Sequence, residues 1–561
     1  MSKMNAWQAI VGALRDEGVK YIFGMPGNPR LLYDALYDCR DINVVHAREQ
    51  SSGVFMAMGY ARAALDLGVC FGSNGPGMTN MVSGLLEAQA ASVPLLAISA
   101  AVGTKMEGFP AFQEADQVAI ARPVTKWAFR IPAPERVPWA VKRAIDIARS
   151  GCPGPVYLEI PVDLSLQEVD MPPYVPSLRP LPPRGAAAAM EQMVAMLEGA
   201  SRPVVVCGGG AVWSGAFAEV EKLADWGLPV LTTATGRGII DEDHPRALGL
   251  TGLYFTRLGK EVYFDADLVL ILGSRNDQFE TGEWQYFPEG AKLVQVDIDS
   301  TALGRNWVPD LGVVGDVRLV LKDLLAALEE RGSHKRWKER GEAIKEQKTC
   351  YLEELAAECQ DDGVPLKSKR IVWELGRVFG RNTILVNENG SQDLWSYYSP
   401  YFRTAKNGCV APGAQTCMGT GVAGAIGVKL ARPDQNVVCV TGDGAFQMYM
   451  RELPTAAQHN APVTWIILNN KFLGWIKFHQ REMNERYIAT DFRVQPDFAA
   501  VARACGCYGE KVEDPDEITL ALERALKANQ AGQPAVLDFI VDGWDLAPGF
   551  RDYYRTLFGY K

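Results

Sequence analysis

Two polar corners, Gly442-Asp443-Gly444-Ala445 and Asn469-Asn470, hold the residue types in this chain best suited to chemistry. The first follows the apolar run Val437-Val438-Cys439-Val440, and the second follows Val463-Thr464-Trp465-Ile466-Ile467-Leu468. A carboxylate and an amide oxygen are hard donors of the kind Mg2+ takes, and Mg2+ takes few from protein, leaving the rest to phosphate and water. Asp443 and the side-chain oxygen of Asn470 would be two ligands, with a backbone carbonyl near Phe472 as a third. Gly442 and Gly444 let the backbone approach closely, and a helix N-terminus after them favours an anionic phosphate. The chemistry to expect is a divalent cation clamped to a diphosphate.

Such corners need strands behind them. Both apolar runs read as buried parallel strands, with Met448 to His459 as the crossover helix, and ligands collect at the carboxyl ends of strands in that arrangement. The first third of the chain repeats the pattern. A helix over Ala6 to Glu17 precedes strand Tyr21 to Gly24 and the loop Met25-Pro26-Gly27-Asn28-Pro29. Strand Asn43 to His46 delivers Arg48-Glu49-Gln50, a helix runs through Ala57 to Arg62, and strand Gly68 to Phe71 leads into the loop Ser73 to Asn80. Glu49 is on one view a carboxylate at a helix start, where the dipole favours it. Half-buried, it is also a group able to relay a proton.

A chain of 561 residues is too long for one core, and three domains are expected, all α/β with doubly wound parallel sheets. The boundaries fall at 1–165, 186–330 and 365–545, with a tail at 546–561. Between Asp163 and Gly185, Pro172, Pro173, Pro176, Pro180, Pro182 and Pro183 make a semi-rigid spacer. Middle strands Pro203 to Cys207, Pro229 to Thr232, Leu268 to Leu272 and Leu293 to Val296 each end in a polar or glycine corner. The charged stretch Gly332 to Gln360 reads as a solvated bridging helix. Helix Ile371 to Val378, strand Thr383 to Val386 and the corner Asn387-Glu388-Asn389-Gly390 open the third domain.

Hydrophobic content of 48% with 22% charged residues is that of a soluble globular protein. A net charge of -10 argues against nucleic acid or anionic membranes as partners. No apolar run reaches transmembrane length and Met1 to Asn5 leads into an amphipathic helix, so the expected compartment is the cytoplasm. Eleven cysteines are too dilute for a disulfide framework, and Cys505-Gly506-Cys507 has no second pair to complete a zinc site. Five histidines make histidine-rich catalysis a poor expectation.

Gly-Asp-Gly followed one strand later by Asn-Asn resembles the thiamine-diphosphate fingerprint. Gly24-Met25-Pro26-Gly27, Arg48-Glu49-Gln50, Gly59-Tyr60-Ala61-Arg62, Asn74-Gly75-Pro76-Gly77, Ala111 to Asp116, Thr125-Lys126-Trp127 and Gly154-Pro155-Val156 resemble the acetohydroxyacid (acetolactate) synthase group of those enzymes. The likeness runs over nearly the whole chain. It implies that Glu49 is the glutamate that activates the cofactor through its aminopyrimidine ring. Phe112, Gln113 and Lys126 would border the substrate pocket of the neighbouring subunit. Asn389 and Gly390 would contact the aminopyrimidine, and Met418 would be the wedge that bends the cofactor. Asp297-Ile298-Asp299-Ser300, Gly273-Ser274-Arg275 and Gly315-Asp316-Val317 resemble the segments bordering FAD, which makes Arg275, Asp297, Asp299 and Asp316 its implied contacts. An adenine nucleotide, coenzyme A or an empty structural domain are the other readings of that region. Sites between subunits imply a homodimer at least, and homotetramers occur among relatives.

Three positions depart from the group. Asn28 stands at the second glycine of the Pro-Gly-Gly loop, Arg48 replaces the histidine before the glutamate, and His479 stands where a tryptophan selects the second substrate. The leading expectation is cleavage next to a carbonyl that depends on thiamine diphosphate and Mg2+. The donor would be a small 2-oxo acid resembling pyruvate, decarboxylated and ligated to an aldehyde or keto acceptor. A lyase acting on 2-hydroxyacyl thioesters or hydroxyketones, a flavin oxidase of the same fold and a non-catalytic homologue are the alternatives.

Overall fold

The computed structural model describes residues 3–179, 181–550 and 553; Met1, Ser2, Pro180 and the rest of the expected tail lie outside the described residues. The chain forms two compact units. One comprises Met1–Pro180, Gln415–Pro433 and Met448–Ala461, and the other comprises Leu181–Ala414, Asp434–Gln447 and Pro462–Lys561.

The first unit is built on a six-stranded parallel sheet of β1 (Tyr21–Gly24), β2 (Asn43–His46), β3 (Gly68–Gly72), β4 (Leu95–Ala101), β5 (Trp127–Arg130) and β6 (Pro155–Pro161), ordered β2-β1-β3-β4-β6-β5. Every residue of β3, β4 and β6 is buried, because helices cover both faces of a parallel sheet. Helix α1 (Ala6–Asp16) starts at a capping box in which Asn5 and Gln8 each bond the other's backbone N–H. Helix α2 (Gln50–Ala64) buries all its residues except Gln50, Tyr60 and Ala64. Helix α3 (Val137–Arg149) packs on the sheet through Val141, Ala144 and Ile145.

The late segments explain why α2 is buried all round. Helix α4 (Thr420–Ala431), a run of small residues, lies against it. Contact is so close that a Cβ on Gly59 would strike the Gly424 carbonyl and one on Gly427 the Met56 carbonyl. Only glycine lets these backbones touch.

The second unit holds two more parallel six-stranded sheets. The middle one comprises β7 (Pro203–Cys207), β8 (Val230–Thr232), β9 (Ala247–Leu250), β10 (Leu268–Leu272), β11 (Lys292–Asp297) and β12 (Leu311–Val314), ordered β9-β8-β7-β10-β11-β12. The last comprises β13 (Thr383–Asn387), β14 (Cys409–Val410), β15 (Asn436–Gly442), β16 (Val463–Asn469), β17 (Tyr508–Val512) and β18 (Ala535–Ile540), ordered β14-β13-β15-β16-β18-β17. The first and last sheets therefore share one winding, while the middle sheet follows the dinucleotide-fold order, whose strand order reverses between β7 and β10. The fold class is α/β with three doubly wound parallel sheets, as the periodicity leads one to expect.

Two elements differ from expectation. The crossover after β15 is not one helix from Met448 to His459 but a helix Asp443–Tyr449, a 3-10 turn Met450–Glu452 and a second helix Leu453–Gln458. Asp443 in the first turn complements the helix dipole and starts the helix early. Pro454, which lacks an N–H, fits only the opening turn of the second helix and forces the break. The charged helix Lys338–Glu358 is not solvated all round either. It buries Gly341, Ile344, Lys348 and Leu355, and the Lys348 ammonium donates to the carbonyls of Glu242, His244 and Ala247 at 2.7, 2.8 and 2.8 Å. A lysine with three carbonyl acceptors can be buried, so charge alone did not mark the exposed face. Burial still lowers its pKa to about 8.

Residues 171–179 and 181–186 carry no helix or strand, as their prolines require. Among the described residues none of the eleven cysteines forms a disulfide. Among the described residues no helix is long and apolar enough to cross a membrane.

Candidate active site

In the last sheet the strand order reverses between β13 and β15, and the metal-type residues sit at the carboxyl ends there. Asp443, 1% exposed, opens the helix after β15, with Gly444 and Ala445 buried beside it in the first turn. Its Oδ2 accepts a hydrogen bond from the Gln495 amide. Burial pushes its pKa to about 7 against the pull of that amide and of the Asn470 backbone. The Asn-Asn pair divides its work. Asn469 is buried and donates to Asp538 at 2.9 Å, anchoring the end of β16 to β18, while the Asn470 side-chain oxygen accepts the Phe472 N–H at 3.1 Å and turns the chain. The Phe472 ring leans on Trp544 at 5.6 Å, and its backbone bridges Asp491.

Opposite them, the corner after β13 contains unsatisfied atoms. Asn389 Nδ2, Ser391 Oγ and both carboxyl oxygens of Asp393 are buried with no hydrogen-bond partner among the described residues. A Cβ on Gly442 would lie 3.7 Å from Asp393 Oδ1, so this cluster faces the glycine corner that precedes Asp443, and Gly390 packs against the Asp393 carboxyl. Buried polar groups are rarely left unpaired, and a cluster of them at one strand end fits a polar ligand. Donors from Asn389 and Ser391, a helix N-terminus and the Asp443–Asn470 oxygens suit a diphosphate with its cation. Asp393 and Gln495 escape a motif search; the only sequence signal for Asp393 is a carboxylate set just before the apolar pair Leu394-Trp395.

Burial also pushes Asp393 to about 7 and Asp538 to about 6. These carboxyls are more basic folded than unfolded. The stability they lend is full below the unfolded value and is lost as pH rises through about 6 for Asp538 and about 7 for Asp393. Metal-free, cofactor-free protein should therefore gain resistance to urea between about pH 8 and pH 6, by about 1 kcal/mol in all from Asp393 and by less from Asp538. Asp393→Asn should flatten the slope. An identical slope in that variant would mean Asp393 is already ionised at neutral pH.

In the first unit, Glu49 is the N-cap of α2, with extended backbone, and Oε2 accepts the Ser52 N–H at 3.1 Å and the Ser51 hydroxyl. Arg48 fastens the end of β2. Its N–H meets both oxygens of the buried Glu452 at 3.1 Å, and its guanidinium reaches His46 Nδ1 at 2.9 Å and Gln458 at 2.7 Å. Asn28 and Gln113 are brought together through Asn74, which is 1% exposed. The Asn28 amide donates to Asn74 Oδ1 at 2.6 Å, and Asn74 Nδ2 donates to the Gln113 carbonyl at 3.2 Å. Gln113 takes a φ of +59°, uncommon for a residue with a side chain. Beside it Phe112 is 78% exposed, so it is no core residue of this chain. The Lys126 ammonium donates to the carbonyls of Ile147, Ser150 and Cys152 at 2.6 to 2.8 Å, capping the C-terminus of α3. Met418 is half-buried in the turn before α4.

His479 lies half-buried on the helix Gly474–Asn484, next to the buried Phe478. In the middle sheet, Asp297 ends β11 and its Oδ1 accepts the Asp299 N–H at 2.9 Å, with burial raising its pKa. Arg275 pairs with Asp277 at 3.1 Å, and Asp316 caps the helix Val317–Glu330 through the Leu319 N–H at 3.0 Å. Gly208 and Gly210 crowd Gly273 at the reversal point, so the glycines there serve close backbone approach.

Three family descriptions match the chain in order. They are the N-terminal TPP binding domain of thiamine pyrophosphate enzymes over residues 4–120, their central domain over 190–324 and their C-terminal TPP binding domain over 389–539. Fold and corners together thus define a thiamine pyrophosphate enzyme. A probable acetolactate synthase large subunit of Methanocaldococcus jannaschii is 36% identical over 97% of this chain and 93% of its own length. The acetolactate synthase isozyme 3 large subunit of Escherichia coli is 32% identical over 97% and 96%, and an acetolactate synthase of Mycobacterium leprae is 33% identical over 95% and 86%. At that identity over nearly its whole length, the chain belongs to the acetolactate synthase family of thiamine pyrophosphate enzymes.

Proposed function

We propose that the protein is an acetolactate synthase type of carboligase, which decarboxylates pyruvate or a close 2-oxo acid and joins the remaining acyl group to a keto or aldehyde acceptor. The observation that carries this reading is the corner where buried Asp443 and half-buried Asn470 end strands beside the unpartnered atoms of Asn389, Ser391 and Asp393, with Gly442 next to Asp393 and Gly474 next to both Ser391 and Asn470. Thiamine diphosphate supplies a nucleophilic carbon able to accept and release an acyl group. The chain's own residues do the rest. Asp443, the Asn470 oxygen and a carbonyl near Phe472 hold Mg2+ against the diphosphate, with Gly442, Gly444 and Ala445 as its floor, and Asn389 and Gly390 close the β13 side. Met418 supports the bend of the cofactor, and Glu49 moves the proton that activates it. Sites completed by a second copy of the chain account for the exposed Phe112 near Gln113, and a homodimer or homotetramer is the assembly we infer. FAD in a structural role suits the middle sheet, whose strand order and glycine-lined reversal point favour a dinucleotide, with Arg275, Asp297, Asp299 and Asp316 at its edge. An acidic chain whose cysteines form no disulfide among the described residues suits the cytoplasm. The names of the relatives favour a synthase over the thioester lyase, hydroxyketone lyase and flavin oxidase alternatives.

The test is direct: purified protein with thiamine diphosphate, Mg2+ and pyruvate should release carbon dioxide and form acetolactate, and stay yellow throughout if FAD is bound without redox work. Release of neither product from pyruvate or other small 2-oxo acids would sink the reading.

His479 and Asn28 are assigned to the acceptor side. A ring that donates and accepts hydrogen bonds replaces an indole at 479, and an amide tied to Asn74 replaces bare backbone at 28. His479→Trp should shift products toward acetohydroxy acids by roughly tenfold, with donor decarboxylation changed less, since polar sites reject acceptors lacking their bonding group. An unchanged ratio of carbon dioxide to ligated product, with unchanged acceptor preference, would remove His479 from the pocket.

A further inference from the structure

Both hydrogen bonds that hold the Glu49 carboxyl land on a single oxygen. Ser52 N–H and the Ser51 hydroxyl meet Oε2, and no described residue bonds Oε1. Capping the helix needs only one acceptor and one backbone donor, so the Ser51 bond exceeds what the cap requires. Behind Ser51 stands Tyr449, its phenol oxygen 3.1 Å from Ser51 Oγ. The Ser51 hydroxyl has a single proton and gives it to Glu49 Oε2, so its bond with the Tyr449 phenol is one that it accepts. The direction of the chain is thereby fixed: Tyr449 to Ser51 to Glu49 Oε2.

The phenol is itself held in place. Its ring meets Phe55 edge-on at 5.6 Å, the Arg451 guanidinium lies 5.1 Å from its centre, and it fills the space a side chain at Gly419 would need. Ser51 is 5% exposed. A rigid ring, a buried hydroxyl and a backbone N–H thus determine the plane of one carboxyl group.

We propose that Tyr449 and Ser51 are positioning residues for Glu49, a chain of hydroxyls that locks its carboxyl so that Oε1 is presented to the ring nitrogen of the cofactor's aminopyrimidine. This rests on the proton-relay role assigned to Glu49 above. A carboxyl free to rotate would spend much of its time with neither oxygen aligned, and small misplacements at a reacting centre lower rates strongly.

Exchange of the thiazolium proton for deuterium, the near-ultraviolet circular dichroism of the bound aminopyrimidine and calorimetric affinity for thiamine diphosphate test this on the full-length protein with Mg2+. Glu49→Gln is the reference: if it leaves exchange unchanged, the relay role fails and this inference with it. With that variant slow, Ser51→Ala should slow exchange by about tenfold and weaken the dichroic band, while the cofactor dissociation constant stays within about threefold. Tyr449→Phe, which keeps the ring, should slow it by about threefold. The double variant should be no slower than Ser51→Ala, because hydroxyls acting in series do not add. Ser51→Thr should restore exchange. Parent-like exchange in Ser51→Ala and Tyr449→Phe beside a slow Glu49→Gln would overturn the proposal and leave a helix cap and a packed ring; so would multiplying effects in the double variant.

Discussion

Asp443→Ala should lose Mg2+-dependent binding of thiamine diphosphate, by about 10²-fold or more, since even groups that merely support metal ligands are worth about 10- to 100-fold in affinity. The chain supplies few oxygens at this corner, and Asp443 brings a carboxyl to it. The same change should leave the metal-free protein folded and no less stable. A carboxyl buried to 1% exposure, held chiefly by one amide and pushed to about 7, strains the empty fold more than it supports it. Calorimetry with Mg2+ and thiamine diphosphate together, paired with urea unfolding of the metal-free form, separates the two effects. Unchanged cofactor affinity would show that the metal is held elsewhere.

Glu49→Gln should lower turnover by roughly 10²-fold or more while changing cofactor affinity by less than about tenfold, the scale of lost general acid-base catalysis. Glutamine keeps an oxygen for the Ser52 N–H and the Ser51 hydroxyl, so α2 stays capped and the variant should fold. What it loses is a group that can take up and return a proton. Equal turnover in parent and variant would reduce Glu49 to a capping carboxylate, a role its hydrogen bonds also fit.

Much of this was legible because buried parallel strands are unbroken apolar runs. Asp443 and Asn470 stand at the ends of such runs, and Glu49 follows another, so the corners could be placed before any contact was known. What stayed hidden depends on topology. Asp393 comes to the Gly442 corner only because β13 and β15 are neighbours, and Gln495 meets Asp443 across a long loop. Tyr449 and Ser51 are far apart in sequence and ordinary in type, and no spacing rule joins them. Lys348 misleads in the opposite sense: it is a charge in a stretch that reads as solvated, yet its ammonium finds three backbone carbonyls.

The embrace of α2 by α4 bears on how the polypeptide is made. A ribosome finishes Met1–Pro180 long before Gln415–Pro433 and Met448–Ala461 emerge, so the nascent first unit waits with one side of a helix that ends up almost wholly buried still uncovered. Contacts of such long range form late and are slow to close, and until then the uncovered helix is a surface for aggregation or chaperones. A gene cut at the proline-rich spacer would for the same reason yield an incomplete fragment, although the spacer looks like the natural place to divide the protein.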